Sequence, residues 1–298
     1  STWVEPIYTD YHGVRLYECP PNGQGIVALM ALNILQGYDL VSLGHNSPPY
    51  LHLIIEALKL AFVDAHHHVT DPELYPVPVE QMLSAKYAAR CRKLINPDYA
   101  ADPPNTGIPT QGDTVYLTAA DGEGNFVSLI NSLYMGFGSG MVVEGTGICL
   151  QNRGHSFSLD PKHPNHLAPH KRPYHTIIPA MVLGANGKPL YSMGVMGGHM
   201  QPQGHIQVLL NLVDFAMSPQ EALDAPRVRW EEDKQVFIEP LLGEETRQAL
   251  IAMGHDVAPL DQASISTFGG GQVIRIDPET GVLCAGSEPR KDGCAVGF

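Results

Sequence analysis

Apolar residues return every three or four positions through two early stretches. One is Gln24 to Leu40 (Ile26, Leu29, Met30, Leu32, Leu35) and the other Pro48 to Val69 (Leu51, Ile54, Ile55, Leu58, Ala61, Phe62). That spacing gathers the apolar side chains on one face of a helix, and Pro, Asn or Ser punctuation opens each stretch. A third helix is expected over Val79 to Leu94. Residues Asn96 to Thr110 hold Pro, Gly and small polar residues without periodicity, so they read as an extended linker. The first 113 residues therefore read as helical.

The pattern changes after Thr114. Short runs rich in β-branched and aromatic residues follow at Thr114 to Ala120, Phe126 to Ser132, Gly147 to Asn152, Ile177 to Leu183 and Leu190 to Gly194. Asp121-Gly122-Glu123-Gly124-Asn125 and Ala185-Asn186-Gly187-Lys188 read as hairpin turns. Helices are expected near Pro202 to Phe215 and Gly243 to Met253, and closing strands around Gln272 to Ile276 and Val282 to Ala285. Helices and strands thus fall in separate blocks, which predicts an α+β fold of helical layers over sandwiched sheets rather than a βαβ winding.

With 44% hydrophobic and 16% charged residues among 298, the chain has the composition of a well-buried enzyme. A formal net charge of -13 repels phosphate backbones and anionic lipid, so neither nucleic acid nor a membrane is an expected partner. Five scattered cysteines without a Cys-x-x-Cys pair suggest neither a disulfide framework nor structural zinc, and point to a reducing compartment. The expected location is cytoplasmic. A periplasmic one stays open because the chain starts at Ser1-Thr2-Trp3 without methionine.

The densest chemical signal is Gly112-Asp113-Thr114-Val115-Tyr116, a threonine directly after a Gly-Asp bend at the start of a strand. An ordinary strand start has the same appearance. Cleavage between Asp113 and Thr114 would free an α-amino group that titrates at about 7.7 to 8.0, making nucleophile and general base one residue. Ser132 lies on the neighbouring strand if the two strands pair around the Asp121 to Asn125 turn, where its hydroxyl reaches Thr114 or serves the strand alone. Met193-Gly194-Val195-Met196-Gly197-Gly198-His199 joins a strand to a helix, and its glycines let backbone N–H groups approach an oxyanion; a phosphate nest or a plain turn fits the same residues. Arg153, Lys171 and Arg172 are the nearest cations. The stretch Arg153 to Thr176 holds five histidines (His155, His163, His166, His170, His175) and reads as a long loop able to cover a pocket. His66, His67 and His68 are consecutive and point three ways on a helix; His163 and His166 have ligand spacing but no accompanying carboxylates, so no metal is expected.

Taken together, these residues resemble the gamma-glutamyltranspeptidase family of N-terminal nucleophile hydrolases, which includes cephalosporin acylases and oxamate amidohydrolase. The resemblance rests on Pro20-Pro21-Asn22-Gly23-Gln24-Gly25, Glu56-Ala57-Leu58-Lys59-Leu60-Ala61-Phe62, Gly112-Asp113-Thr114, Phe137-Gly138-Ser139-Gly140, Lys171-Arg172-Pro173, Gly197-Gly198 and Pro289-Arg290-Lys291-Asp292-Gly293. It implies a four-layer αββα sandwich, autocleavage between Asp113 and Thr114, and two associated chains of one precursor. Residues 1–113 would then be the tail of the large chain and residues 114–298 the small chain. It further implies Thr114 as nucleophile, Ser132 as the hydroxyl that polarises it, and Gly197 and Gly198 as the oxyanion pair. No cofactor is implied, and a homo-oligomer is left open.

The positions that would hold a gamma-glutamyl group look like Tyr134, Arg153, Ser156, His175 and Thr176. Ser156 replaces an acidic amine anchor and Arg153 adds a fork suited to carboxylate. The expected activity is hydrolysis of a small carboxylate-bearing amide such as oxamate. The alternatives are gamma-glutamyl hydrolysis or transfer, cephalosporin-type acylase action and, outside catalysis, a binding homologue that never cleaves.

Overall fold

The computed structural model describes residues 2–102 and 113–297. In chain order the elements are β1 (Ile7–Tyr11), β2 (Val14–Glu18), α1 (Gly25–Leu35), α2 (Leu40–Leu43), α3 (Pro48–His68), α4 (Val79–Met82), α5 (Ala85–Arg92), β3 (Asp113–Ala120), β4 (Phe126–Tyr134), β5 (Ala180–Gly184) and β6 (Pro189–Met196). Then follow α6 (Met200–Val213), α7 (Pro219–Asp224), β7 (Val228–Trp230), β8 (Gln235–Ile238), α8 (Gly243–Ala252), β9 (Asp256–Val257), β10 (Gly270–Ile276) and β11 (Leu283–Ser287). None of the described helices is long and apolar enough to cross a membrane.

The core is a six-stranded antiparallel sheet of order β1-β2-β5-β6-β10-β11. Alternate side chains of β6 leave opposite faces of that sheet. Val195 points to the helices, where its methyl groups lie so close to Gly204 of α6 that a Cβ there would sit 2.5 Å from one. Ser192 points the other way and accepts a 2.5 Å hydrogen bond from Thr118 of β3. The β3–β4 hairpin is therefore a second sheet stacked on the first, with α1, α3 and α6 behind. Helix α1 is buried along nearly its whole circumference, as a helix enclosed by other elements must be.

The α+β expectation holds, and three layers are in place: helices, the six-stranded sheet and the hairpin. A fourth layer is not seen among the described residues. Val115, Leu117, Val127 and Leu129 leave the outer face of the hairpin exposed.

Several expected elements differ. The first 113 residues are not all helical: β1 and β2 form a hairpin at the sheet edge, turned by His12 and Gly13, both at positive φ (41° and 87°). The helix expected over Val79 to Leu94 is two, because the Ser84 hydroxyl accepts from the Tyr87 N–H and starts α5 afresh. Gly147 to Asn152 forms no strand but one isolated bridge, Val142 to Cys149, between glycine turns. The three-stranded β7-β8-β9 sheet was not foreseen. Of the linker, residues 103–110 lie outside those described.

The C-terminal segment is held by a buried ion network. Arg227 and Arg290 bind opposite oxygens of Glu288 at 2.8 and 2.6 Å, and Arg290 also holds Glu239 at 2.5 Å. Burial pushes the Glu288 carboxyl up, but Arg227, Arg290 and the Gly271 N–H outweigh it and leave the group below its ordinary value. A carboxyl lowered in this way contributes stability above its unfolded pKa of about 4.3, which is lost as pH falls through the folded value. Glu288→Gln should therefore cost about 3–5 kcal/mol in urea unfolding at pH 7, because it breaks a buried pair while leaving both guanidinium groups inside. It should also flatten the loss of stability below about pH 4. Wild-type stability with an unchanged acid limb would place the anchorage elsewhere.

Candidate active site

Strand pairing builds the first part of the site. Thr114 and Ser132 are directly opposite in the β3–β4 ladder, and the Thr114 hydroxyl donates to Ser132 Oγ at 3.2 Å. The register of the pair shifts between Asp113 and Thr114, at the expected cleavage junction. Ser132 Oγ also accepts from the Tyr134 N–H at 2.9 Å. Tyr134 ends the strand at φ 81°, a left-handed conformation that a bulky side chain adopts only when its surroundings impose it. The imposition is visible: Asn152 takes the Met135 N–H on its Oδ1 at 3.1 Å, while its own N–H donates to the Leu133 carbonyl.

Asn152 leads into a short 3-10 turn, Arg153–Ser156, which delivers Arg153 to the inside. Its guanidinium lies 5.4 Å over the Tyr134 ring and donates from Nη1 to Thr176 Oγ1 at 2.9 Å. Nη2 is buried without a partner among the described residues. Burial pulls the guanidinium down to about 10, slightly opposed by Tyr134, so it remains cationic at neutral pH. Burial, then the charge of Arg153, lowers His175 to about 3 and keeps it neutral. Burial raises the Tyr134 phenol, against the smaller opposite effects of Ser156 and Arg153.

The Gly197-Gly198 turn is positioned by the stacked sheets. Tyr116 lies on Gly194, and Thr118 bonds Ser192. Continuing that two-residue step brings Thr114 beside Met196, at the entrance to the turn. Gly197 and Gly198 have φ of 126° and 59°, values that exclude most side chains. The Gly197 carbonyl accepts from the Met200 N–H at 3.0 Å. Because a trans peptide holds C=O and N–H antiparallel, the Gly198 N–H in the same plane is aimed away from α6. Neither glycine N–H has an acceptor among the described residues.

Thr114, Ser132, Tyr134, Arg153 and Thr176 thus form one continuous chain of contacts, with Ser156 and His175 beside it. The link from Thr176 to Gly198 is a residue to which sequence reasoning gave no role at the site. Gln24, fully buried before α1, donates from Nε2 to the carbonyls of Thr176 at 2.7 Å and Gly198 at 2.9 Å. The run Pro20 to Gly25 had drawn attention, but nothing in it signals contact with residues some 150 positions away.

Lys171 and Arg172 do not join this chain. Lys171 Nζ donates to the Pro164 carbonyl, and Arg172 binds Asp71 at 2.7 Å and holds its carboxyl down to about 2. His163 and His166 make local loop hydrogen bonds through their Nδ1 atoms. His66 packs against Tyr174 and His199, whereas His67 turns toward His163. Among the described residues one other set has ligand spacing: His52 and Glu56 of α3 with His255, all buried. Most of its atoms already have partners, with Glu56 between Lys59 at 2.7 Å and the Ala101 N–H at 3.1 Å, and His52 on His255 Nε2 at 2.8 Å. His255 Nδ1 is buried without a partner among the described residues.

Comparison with known proteins shows the family. The solved cephalosporin acylase from Bacillus halodurans superposes with a TM-score of 0.90 at 52% identity, over 98% of this chain and 53% of that one. The glutathione hydrolase-like YwrD proenzyme of Bacillus subtilis (strain 168) is 40% identical over 99% of this chain and 56% of its own length. The oxamate amidohydrolase proenzyme of Klebsiella pneumoniae (strain ATCC 700721 / MGH 78578) is 33% identical over 98% and 55%. The chain spans about half the length of these relatives. The sequence profile described as Gamma-glutamyltranspeptidase matches residues 1–298. The chain belongs to the gamma-glutamyltranspeptidase family.

Proposed function

We propose that this chain carries the catalytic residues of an autoprocessing N-terminal threonine amidohydrolase that acts on a small carboxylate-bearing amide of the oxamate kind. The observation that carries the substrate reading is the buried Arg153 guanidinium. One of its nitrogens has no partner among the described residues, and contacts link the side chain through Tyr134 and Ser132 to the Thr114 hydroxyl. A buried cation with an open donor favours an anionic ligand. Tyr134, Arg153, Ser156, His175 and Thr176 include no carboxylate to hold an ammonium, which disfavours a gamma-glutamyl group. The 52% identity to a solved cephalosporin acylase keeps that acylase reaction as the second reading.

In maturation the Thr114 hydroxyl attacks the Asp113 carbonyl, the peptide nitrogen leaves as the new α-amine, and water hydrolyses the resulting ester. Residues 1–113 and 114–298 then persist as parts of one fold. In turnover the same hydroxyl attacks the substrate carbonyl while the α-amine takes its proton and passes it to the departing amine. The Gly197 and Gly198 N–H groups hold the oxyanion, and water releases the acid from the acyl-enzyme. The exposed apolar face of the hairpin is where the outer helical layer of an αββα sandwich would lie.

Thr114→Ala should abolish junction cleavage and hydrolysis together, as read by intact mass and ammonia release. Splitting at Asp113–Thr114 in that variant, or full turnover, would falsify the nucleophile assignment.

Ser132→Ala should slow both reactions about 10- to 100-fold, the effect of losing one polarising hydrogen bond worth roughly 1.5–3 kcal/mol, whereas Ser132→Thr should be tolerated. Unchanged rates in Ser132→Ala would leave this hydroxyl a structural one.

Arg153→Gln should lower kcat/KM for oxamate about 30- to 1,000-fold and that for uncharged oxamide little, reflecting about 2–4 kcal/mol from a partly dry ion pair. With wild-type enzyme the preference for oxamate should fade as pH rises through about 10, where the free guanidinium loses its proton. Equal losses on both substrates would mean that Arg153 braces the loop instead.

A further inference from the structure

Gln24 stands where two otherwise separate walls meet. One wall is Arg153 with Thr176; the other is the Gly197-Gly198 turn. The segment Asn22 to Gln24 is zipped to the first of these by backbone bonds, His175 N–H to the Asn22 carbonyl and Gln24 N–H to the His175 carbonyl, each 2.9 Å. The side chain then takes the next carbonyl along, that of Thr176, at 2.7 Å. Its second amide proton crosses to the Gly198 carbonyl at 2.9 Å. Both protons of the NH2 group are thereby used, and Oε1 accepts from the Tyr174 hydroxyl at 3.3 Å.

The orientation of this amide is forced. Turned over, its oxygen would face two carbonyl oxygens in a fully buried site. The Gly198 carbonyl also accepts from the Gln201 N–H at 3.2 Å, so Gln24 and the first turn of α6 together fix the peptide that follows the turn.

We propose that Gln24 is a positioning residue that sets the spacing between the Arg153–Thr176 anion wall and the Gly197–Gly198 oxyanion turn. Gln24 so couples substrate charge to catalytic rate. This role rests on the amidohydrolase reading above, and Gln24 itself touches no reacting atom. A carboxylate-bearing substrate is held at both walls at once, so an error in their separation displaces its carbonyl from the oxyanion donors. A neutral amide is held at the turn alone and tolerates the error.

Gln24→Met removes both donors at similar volume, and Gln24→Glu replaces them with a carboxylate that recovers one donor only when protonated. With active sites counted by titration, Gln24→Met should lower kcat for oxamate about 10- to 100-fold, against less than about threefold for oxamide. Combined with Arg153→Gln it should cost much less than the product of the single losses. The activity of Gln24→Glu relative to wild type should climb as pH is lowered. Independently of any substrate, hydrogen exchange in Gln24→Met should quicken at His175 to Ile178 and at His199 to Gln201 together.

Equal losses on the two amides with additive effects, or faster exchange at one segment alone or at neither, overturn the proposal. If wild-type protein turns over neither amide, the function reading fails, and the exchange result still decides whether Gln24 joins the walls. Gln24→Glu, which retains shape and polarity, keeps the test open should Gln24→Met not fold.

Discussion

The distance between two stacked sheets governs everything at this site. Tyr116 of the hairpin rests on Gly194 of the central sheet so closely that a Cβ at position 194 would sit 2.4 Å from the ring. Any larger residue would lift β3 off β6. Thr118 would then lose Ser192, and Thr114, two residues the other way, would lose its place beside the turn. Tyr116 itself is held by Ser128 across the hairpin at 2.7 Å, so the contact is rigid from both sides. One absent side chain thus sets the separation between a strand that carries hydroxyls and a turn that carries free N–H groups.

Below that contact the structure uses buried polar groups as spacers. His205 of α6 accepts the Val195 N–H on Nε2 at 3.1 Å and donates from Nδ1 to Glu18 of β2 at 2.7 Å, both side chains fully buried. Helix α6, β2 and β6 are thereby tied beneath the strand that leads into Gly197. Gln24 and the Arg227–Glu288–Arg290–Glu239 network follow the same logic. Hydrophobic packing fixes which layers meet, but it is non-directional; hydrogen-bonded pairs, which are directional, fix where along the layers they meet.

What the sequence revealed follows from the range of the forces involved. Helix α3 was legible from its apolar spacing, α1 from a nearly unbroken apolar run, and the β3–β4 hairpin because Asp121 to Asn125 specifies a turn. Thr114 opposite Ser132 followed from that turn alone. The β1–β2 hairpin was missed although His12-Gly13 is a turn signal, since Ile7 to Tyr11 alternates too weakly to announce an edge strand. Helix α7 was missed although Ser218 and Glu221 form a capping box, because six residues carry no period. Gln24 was illegible in principle: its importance lies in two carbonyls that only the finished fold brings within reach.

Arg153 poses the sharpest energetic question in the structure. Arg153, a residue 4% exposed, has one guanidinium nitrogen buried without a partner among the described residues, so it has given up hydration without full replacement from them. The Tyr134 ring returns only part of that, since a cation–π contact contributes on the order of 0.5–2 kcal/mol. Tyr134 is itself held at positive φ, which costs roughly 1–3 kcal/mol. Two unfavourable terms therefore meet at adjoining residues beside the candidate nucleophile. An anion at Nη2 would offset the first and leave the second as the means of keeping ring and guanidinium in register. On the proposed reading a bound carboxylate would complete the site, which is the physical content of calling it preorganised.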